Sequence, residues 1–469
     1  MFQSGSRHAC SLSMEILKDV FVDHGGNCDW LSGGLSKCPK RIQQLDVINR
    51  ILAHQPWLLT KEHFKSISQS PGDATGRWSL NQLIYAIVIL AQFHALCSLV
   101  SGCGLLRSPS SSTSRPVSSR SDPALFQSER EPWDWASNDG SSSMTSSTTE
   151  HDPSSLSEPL SQPEPPLMAG GGGGGAFHHS RLPAAHQRSC QPSCTGASNG
   201  VAAGSGSCCS TVSGNSLSST VANGSSPLDL MMTGSGFPCS DLCEVDILLT
   251  RMEALQKLES ETLSCASREE RLKHFVDIHR ESSQLKPQLT RPPSAEWAES
   301  SLYTNDLDFG YVDFIKRADT TSAPTLKIHD LSWDMEGYGL LERLCSHIAE
   351  LVDDKFLIMK ELTYYTMGAY KGVDTTKYRV AIWNYIQSLY GIRHDDYDYS
   401  EVNQMLSIPM KRFVKTVCCF PERLTDDMRA GVMTEFQDSE KIHVNLIIAE
   451  ARMQAELLYA LRAIMRFMS

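Results

Sequence analysis

Apolar residues recur at helical spacing toward both ends of the chain and thin out in its middle. Ile42, Leu45, Ile48, Ile51 and Leu52 form one buried stripe and predict a helix over 40–54, with Pro56 beyond its end. Residues 8–24 read as an amphipathic helix stopped by Gly25-Gly26, and a shorter helix starts near Thr60. From Leu83 to Val100, eighteen residues are interrupted only by Gln92, His94 and Ser98. That run opens on a capping box, Ser79-x-x-Gln82, and ends at Gly102. Its length is at the bottom of the membrane-spanning range, and three polar groups would be costly in lipid, so it reads as a core helix and not as a span.

Helical patterning resumes near Ser240 with Leu248, Met252 and Leu255, then at a second capping box, Ser267-x-x-Glu270. Phe309-Gly310-Tyr311 and Trp333 follow, then helices to the C-terminus, two of them separated by Pro421 and the last running from Ser439 to Met468. No strand alternation or internal repeat stands out, and the predicted class is all-α.

Between 107 and 238 the composition is serine clusters, Pro163-Glu164-Pro165-Pro166 and a glycine run from Gly170 to Gly175. Too little apolar surface is left there to offset chain entropy, so a long disordered insert is predicted. The organisation is then a helical region over 1–106, the insert over 107–238 and a second helical region over 239–469. His178, His179, Cys190 and Cys194 fall in the insert, where nothing would hold a metal geometry, and no metal or cofactor is assigned.

With 469 residues, the chain has ample length for a sizeable core. Its formal net charge of −12, with no basic stripe, argues against nonspecific nucleic-acid binding. No charged segment followed by an apolar run marks a secretory signal at the N-terminus, and the fifteen cysteines read as cytosolic thiols.

The densest polar chemistry lies between Glu361 and Tyr399. It reads as one helix carrying Thr363, Tyr364, Tyr365 and Thr366, a second opening on Asp374 as N-cap, and an acidic turn, His394-Asp395-Asp396-Tyr397-Asp398-Tyr399. Thr375, Tyr378 and Arg379 would share a face of the second helix, where a hydroxyl, a ring and a guanidinium can meet one ligand.

The stretch Gly391-Ile392-Arg393-His394-Asp395-Asp396-Tyr397-Asp398-Tyr399 resembles the sestrins, as do Val373-Asp374-Thr375, Ala381-Ile382-Trp383-Asn384-Tyr385, Ser439-Glu440-Lys441-Ile442-His443 and Ile51-Leu52-Ala53-His54-Gln55-Pro56-Trp57. The resemblance covers 7–106 and roughly 240–469. It implies two related helical halves, each similar to the alkylhydroperoxidase AhpD family. It also implies a stress-inducible regulator of the cytoplasm, and of the nucleus as a further location, that restrains TOR-complex signalling. Free leucine and a GATOR-type complex are the implied partners, with AMP-activated protein kinase as another. The chain begins six residues before Arg7, where sestrins carry further helices, so the first half is expected to be incomplete.

On the sestrin pattern, Glu440 takes a ligand ammonium and Arg379 its carboxylate, while Thr363, Tyr364 and Thr366 form a lid with Thr375 opposite and Tyr365 counts with them as ligand-binding. Arg suits the second task because its planar fork donates two parallel hydrogen bonds. Tyr378, Met433 and Phe436 would line the apolar slot, where the family usually has leucine and tryptophan at the first two positions. Asp395 and Asp396 match the pair that contacts the GATOR-type complex; a simpler account is a solvated turn. The competing function is peroxide reduction by Cys10 in Arg7-His8-Ala9-Cys10, but the positions of the family's proton-relay Tyr and His hold Leu12 and Leu17, which carry no proton.

Overall fold

The computed structural model describes residues 1–68, 77–105, 243–260, 266–285, 300–319 and 324–469. The insert predicted over 107–238 lies outside these residues.

The first segment folds as α1 (Phe2–Arg7), α2 (Ser11–Asp23), α3 (Cys28–Gly33), α4 (Lys40–His54), α5 (Lys61–Ser68) and α6 (Leu80–Gly102). The helix expected over 8–24 is a correction: its first turn is broken off. Ala9 sits at a φ of 45°, which an L-residue cannot propagate as a right-handed helix, so the chain turns at His8–Cys10 and restarts at Ser11. α6 begins at the predicted capping box, in which Ser79 accepts from the N–H of Gln82 and Gln82 accepts from the N–H of Ser79.

The second segment supplies α7 (Glu244–Ser260), α8 (Arg268–Gln284), β1 (Leu326–Lys327), α9 (Tyr338–Glu361), β2 (Thr366–Met367), β3 (Tyr370–Lys371), α10 (Thr376–Leu389), β4 (Ile392–Arg393), α11 (Ser400–Met405), α12 (Ile408–Cys419), α13 (Asp426–Ala430) and α14 (Asp438–Met468). The class is all-α. Among the described residues, strands are confined to two residue-pair ladders, β1 parallel to β4 and β2 antiparallel to β3.

The stretches 1–106 and 239–469 share one hydrophobic core, which joins Ile48, Leu52 and Leu83 to Ile382, Ile386, Ile448 and Leu458. Its axis is the pair α6 and α14. Among the described residues α6 is the one helix long and apolar enough to cross a membrane, and two-thirds (67%) of its most apolar window is buried in the protein. The polar residues that interrupt it all have partners. Gln92 accepts from Lys355, His94 Nδ1 lies 2.7 Å from Glu456 Oε2, and Ser98 Oγ accepts from Arg452 at 2.8 Å. Arg452 and Glu456 are one turn apart on α14 and fully buried, with 2.8 Å between them. A polar seam therefore runs between two apolar helices, and its groups are paired as burial requires.

Buried histidines set the acid limit of this fold. Burial holds His279 and His394 down at about 4, and His8, His54 and His94 also lie below the ordinary value for the same leading reason. In the unfolded chain each titrates near ~6.5. Their contribution is complete above that value and is lost as pH falls toward about 4, because the unfolded chain binds the extra protons. Glu422, which burial pushes up to about 7, acts with the opposite sign, but it stands against several histidines. Unfolding in urea at pH 5 is therefore expected to show at least about 2 kcal/mol less stability than at pH 7.5.

Candidate functional site

The residues expected to cover a ligand lie between α9 and α10, and they are not helical. α9 ends at Glu361, Tyr365 takes a φ of 52°, and Thr366–Met367 pairs with Tyr370–Lys371 as a short hairpin. This corrects the helix predicted over Thr363–Thr366. Gly368 makes the tight turn possible. Its φ is +60°, and a Cβ there would come within 2.9 Å of the carbonyl oxygen of Glu435. α10 starts at Thr376, one residue later than Asp374 would place it as N-cap, although the Asp374 carboxylate still accepts from the N–H of Thr376 at 2.9 Å.

Glu440 ties this hairpin to the start of α14. As third residue of that helix it closes a capping box, accepting from the N–H of Gln437 at 2.8 Å. The same oxygen accepts from the N–H of Gly368 at 3.0 Å, and the other accepts from the Thr366 hydroxyl at 2.6 Å. The carboxylate is 6% exposed, and all three donors are neutral. No cation reaches it among the described residues. A carboxylate offers about four acceptor positions, so roughly one stays open.

Arg379 faces the same cleft from α10. Its Nε donates to Thr375 Oγ1 at 3.2 Å, one Nη donates to the carbonyl of Lys360 and the other to Thr376 Oγ1 at 3.0 Å. Thr375 therefore meets Arg379 as its spacing predicts, from the residue just before the helix. The guanidinium is 9% exposed, and burial lowers its pKa, with Asp374 the leading opposing charge. It too has no ion pair among the described residues, and about two of its five N–H groups remain uncommitted.

Both charges line a cavity together with Tyr364, Thr366, Met367, Thr375, Tyr378, Phe436, His443, Val444 and Ile447. Its volume is about 30 Å³, room for a water or two and not for an amino acid. Tyr378 and Phe436 fill the slot, with ring centroids 5.9 Å apart. Of the other expected residues, Met433 is buried in the core and does not line the cavity, and Thr363 and Tyr365 stay outside it. Thr363 instead braces the rim, 3.4 Å from the Thr375 hydroxyl and accepting from the N–H of Tyr365 at 3.1 Å. His443, missed in the sequence, stands edge-on to Tyr364 at 5.7 Å; its place one turn after Glu440 on α14 was the available signal. A larger cavity of about 470 Å³ is lined by Phe2, Leu17, Phe21, Trp30 and Tyr303, with His24 in its wall but, among the described residues, no carboxylate to meet a ligand ammonium.

The acidic turn divides into two unlike residues. Asp395 is anchored, its carboxylate 2.6 Å from Arg393 Nη2 and 2.5 Å from His329 Nδ1. Burial pushes its pKa up, but these two partners hold it below the usual value. Asp396 is exposed and has no ion pair among the described residues. Tyr399 is buried and its hydroxyl accepts from the N–H of His394 at 3.0 Å, which stiffens the turn from inside.

The family model for "PA26 p53-induced protein (sestrin)" matches residues 3–165 and 185–468. The chain belongs to the sestrin family. It is 36% identical over 468 residues to the sestrin homolog of Drosophila melanogaster, 33% over 466 residues to Sestrin-1 of Xenopus laevis and 32% over 472 residues to Sestrin-2 of Homo sapiens. Each match takes in 99% of this chain and 84%, 76% and 75% of the respective relative. Sestrin membership makes it a stress-inducible regulator of that type. The matched range also enters the low-complexity insert, for which the sequence reading found no counterpart.

In this sestrin the Arg-His-x-Cys segment is buried. Arg7 donates to the carbonyls of Asn305 and Asp306 and lies 3.6 Å from Asp46, while His8 Nε2 accepts from Arg452 at 2.7 Å. Cys10 is 2% exposed, and neither Leu12 nor Leu17 offers it a titratable group.

Proposed function

We propose that this sestrin binds a free hydrophobic amino acid, leucine, between Glu440 and Arg379, and that occupancy controls its capture of a GATOR-type complex of the TOR pathway. One observation carries the reading. A buried anion and a buried cation, neither paired with an opposite charge, open onto the same apolar-walled cleft. Unpaired buried charges are expensive, and a zwitterion would compensate both at once. The isobutyl group would add about 2–3 kcal/mol on burial.

At about 30 Å³ the cleft is too small for an amino acid, so binding requires movement. The hairpin held to Glu440 by Thr366 and Gly368 is the candidate lid, and Tyr378 is the side chain that must yield. Leucine then shifts the protein only by its preference for the open-and-reclosed state, since equal affinity for two states shifts nothing. Isothermal titration should detect leucine binding to the wild type. Tyr378→Leu, which clears the slot, should bind about tenfold more tightly. Absence of heat with both proteins would end the sensor reading.

The partner surface is assigned to the acidic turn, where Asp396 is exposed and the buried Tyr399 holds the turn from inside. Asp396→Ala is the clean probe, because Asp395→Ala would also release Arg393 and His329. Pull-down of a reconstituted GATOR-type complex should fail with Asp396→Ala, while leucine titration of that variant stays at the wild-type value. Unchanged capture would assign the turn a purely structural role.

A further inference from the structure

Four cations converge on one pocket beside the acidic turn. Arg268 and Arg271 come from the first turn of α8, three positions apart and so on one face of it. Lys327 and Arg393 are register partners across the parallel β1–β4 ladder, which sets them side by side. With Glu269, His394 and Asp395 they line a cavity of about 400 Å³.

The cavity holds more positive charge than its own acids neutralise. Glu269 and Asp395 are its two carboxylates, and Asp395 is already taken by Arg393 at 2.6 Å and His329 at 2.5 Å. Arg268, Arg271 and Lys327 have no ion pair and no side-chain hydrogen bond among the described residues. The Nε of Arg271 is buried and without a partner there, a state that a polar group seldom keeps. His394 adds no charge near neutral pH, because burial holds it down at about 4. Four cations against two acids leave a surplus of two positive charges. Crowded like charges repel, and a doubly negative ligand would relieve them.

We propose that this pocket binds a phosphomonoester dianion, carried by a small metabolite or by a phosphorylated side chain. Such a group has a charge of about −1.5 to −2 at neutral pH, which matches the surplus, and it offers more acceptor oxygens than a carboxylate. The planar forks of Arg268 and Arg271 can each donate a parallel pair of hydrogen bonds, with Lys327 as a point charge beside them. The cavity has the size of an ordinary small-ligand site, and its charged walls favour an anion over an apolar molecule. A bound anion would share Arg393 with Asp395 and so sit against the base of the acidic turn. The pocket has no lining residue in common with the amino-acid cleft, and the two readings stand or fall separately.

Isothermal titration of the full chain at low ionic strength tests this with inorganic phosphate, glycerol 3-phosphate, a capped glycine–phosphoserine–glycine peptide and the same peptide without phosphate. Capping removes the free ammonium and carboxylate, which keeps the peptide from mimicking an amino acid in the other cleft. The esters should bind and the unphosphorylated peptide should not. Tighter binding of glycerol 3-phosphate supports the proposal with a soluble metabolite as the source, and tighter binding of the phosphopeptide supports it with a phosphorylated protein segment. Arg271→Gln and Lys327→Gln should each weaken binding about tenfold. Glu269→Gln removes an opposing acid from an exposed position and should tighten binding about threefold, a gain that misfolding cannot produce. Absence of heat with both esters would overturn the proposal, whether or not inorganic phosphate binds. So would equal binding of the unphosphorylated peptide, or unchanged affinity in both Arg271→Gln and Lys327→Gln.

Discussion

Replacing Arg379 with alanine is expected to weaken leucine binding at least thirtyfold, and replacing Glu440 should do the same. The basis is the isolation of each charge. The Arg379 donors go to Thr375, Thr376 and the carbonyl of Lys360, all neutral, so a ligand carboxylate would be its first anionic partner. Removing one member of a buried charge pair costs about 2–5 kcal/mol, most of it from the partner left uncompensated. The two variants differ in what else they disturb. Arg379→Ala removes donors to neighbouring oxygens and should leave the hairpin in place. Glu440→Ala also removes the helix cap and the acceptor for Thr366 and Gly368, so it should lose about 1 kcal/mol of stability besides. Glu440→Gln separates these roles, retaining an oxygen for the cap but no charge for an ammonium. Titration calorimetry paired with thermal melting reads both. Wild-type affinity in Arg379→Ala would show that the guanidinium only props up the rim.

Arg452→Ala should be the most damaging single change to stability, at about 3–5 kcal/mol. Arg452 is fully buried and donates to Glu456, Ser98, His8 and the carbonyls of Cys418 and Ala53. It therefore clamps α14 to α6, α12 and the start of the chain. Its loss leaves the Glu456 carboxylate with His94 alone and takes a donor from the carbonyls of Ala53 and Cys418, the latter keeping only the Tyr390 hydroxyl at 3.5 Å. Arg452→Met refills the volume without restoring a donor and should fare nearly as badly. The double variant Arg452→Met/Glu456→Leu removes the orphaned charge as well and should recover a large part of the loss. Guanidinium unfolding of the three proteins checks this, and a cost below about 1 kcal/mol for Arg452→Ala would mean that water reaches the seam and takes the place of the guanidinium.

The α6 helix shows how far local pattern carries. Its capping box, its length and its end at Gly102 were all readable, because each depends on residues within a few positions of one another. The same holds for the box at Ser267 and for the long final helix. What His94 and Ser98 do inside that helix was not readable, since their partners lie some 350 residues away on α14. The break at Ala9 and the hairpin over 363–371 escaped as well. The first depends on a positive φ at Ala9 and the second on one at Tyr365 as well as at Gly368, and propensity does not anticipate such conformations at residues that carry side chains.

By itself the sequence determined the helical class, most helix ends and the residue types that a zwitterion site requires, because periodicity and capping are local physics. Only the tertiary structure decided that Glu440 and Arg379 open onto one cleft, that Tyr378 and Phe436 nearly fill it, and that Met433 stays out of it. Those outcomes depend on how side chains from distant helices divide a shared volume, and no spacing along the chain encodes that division.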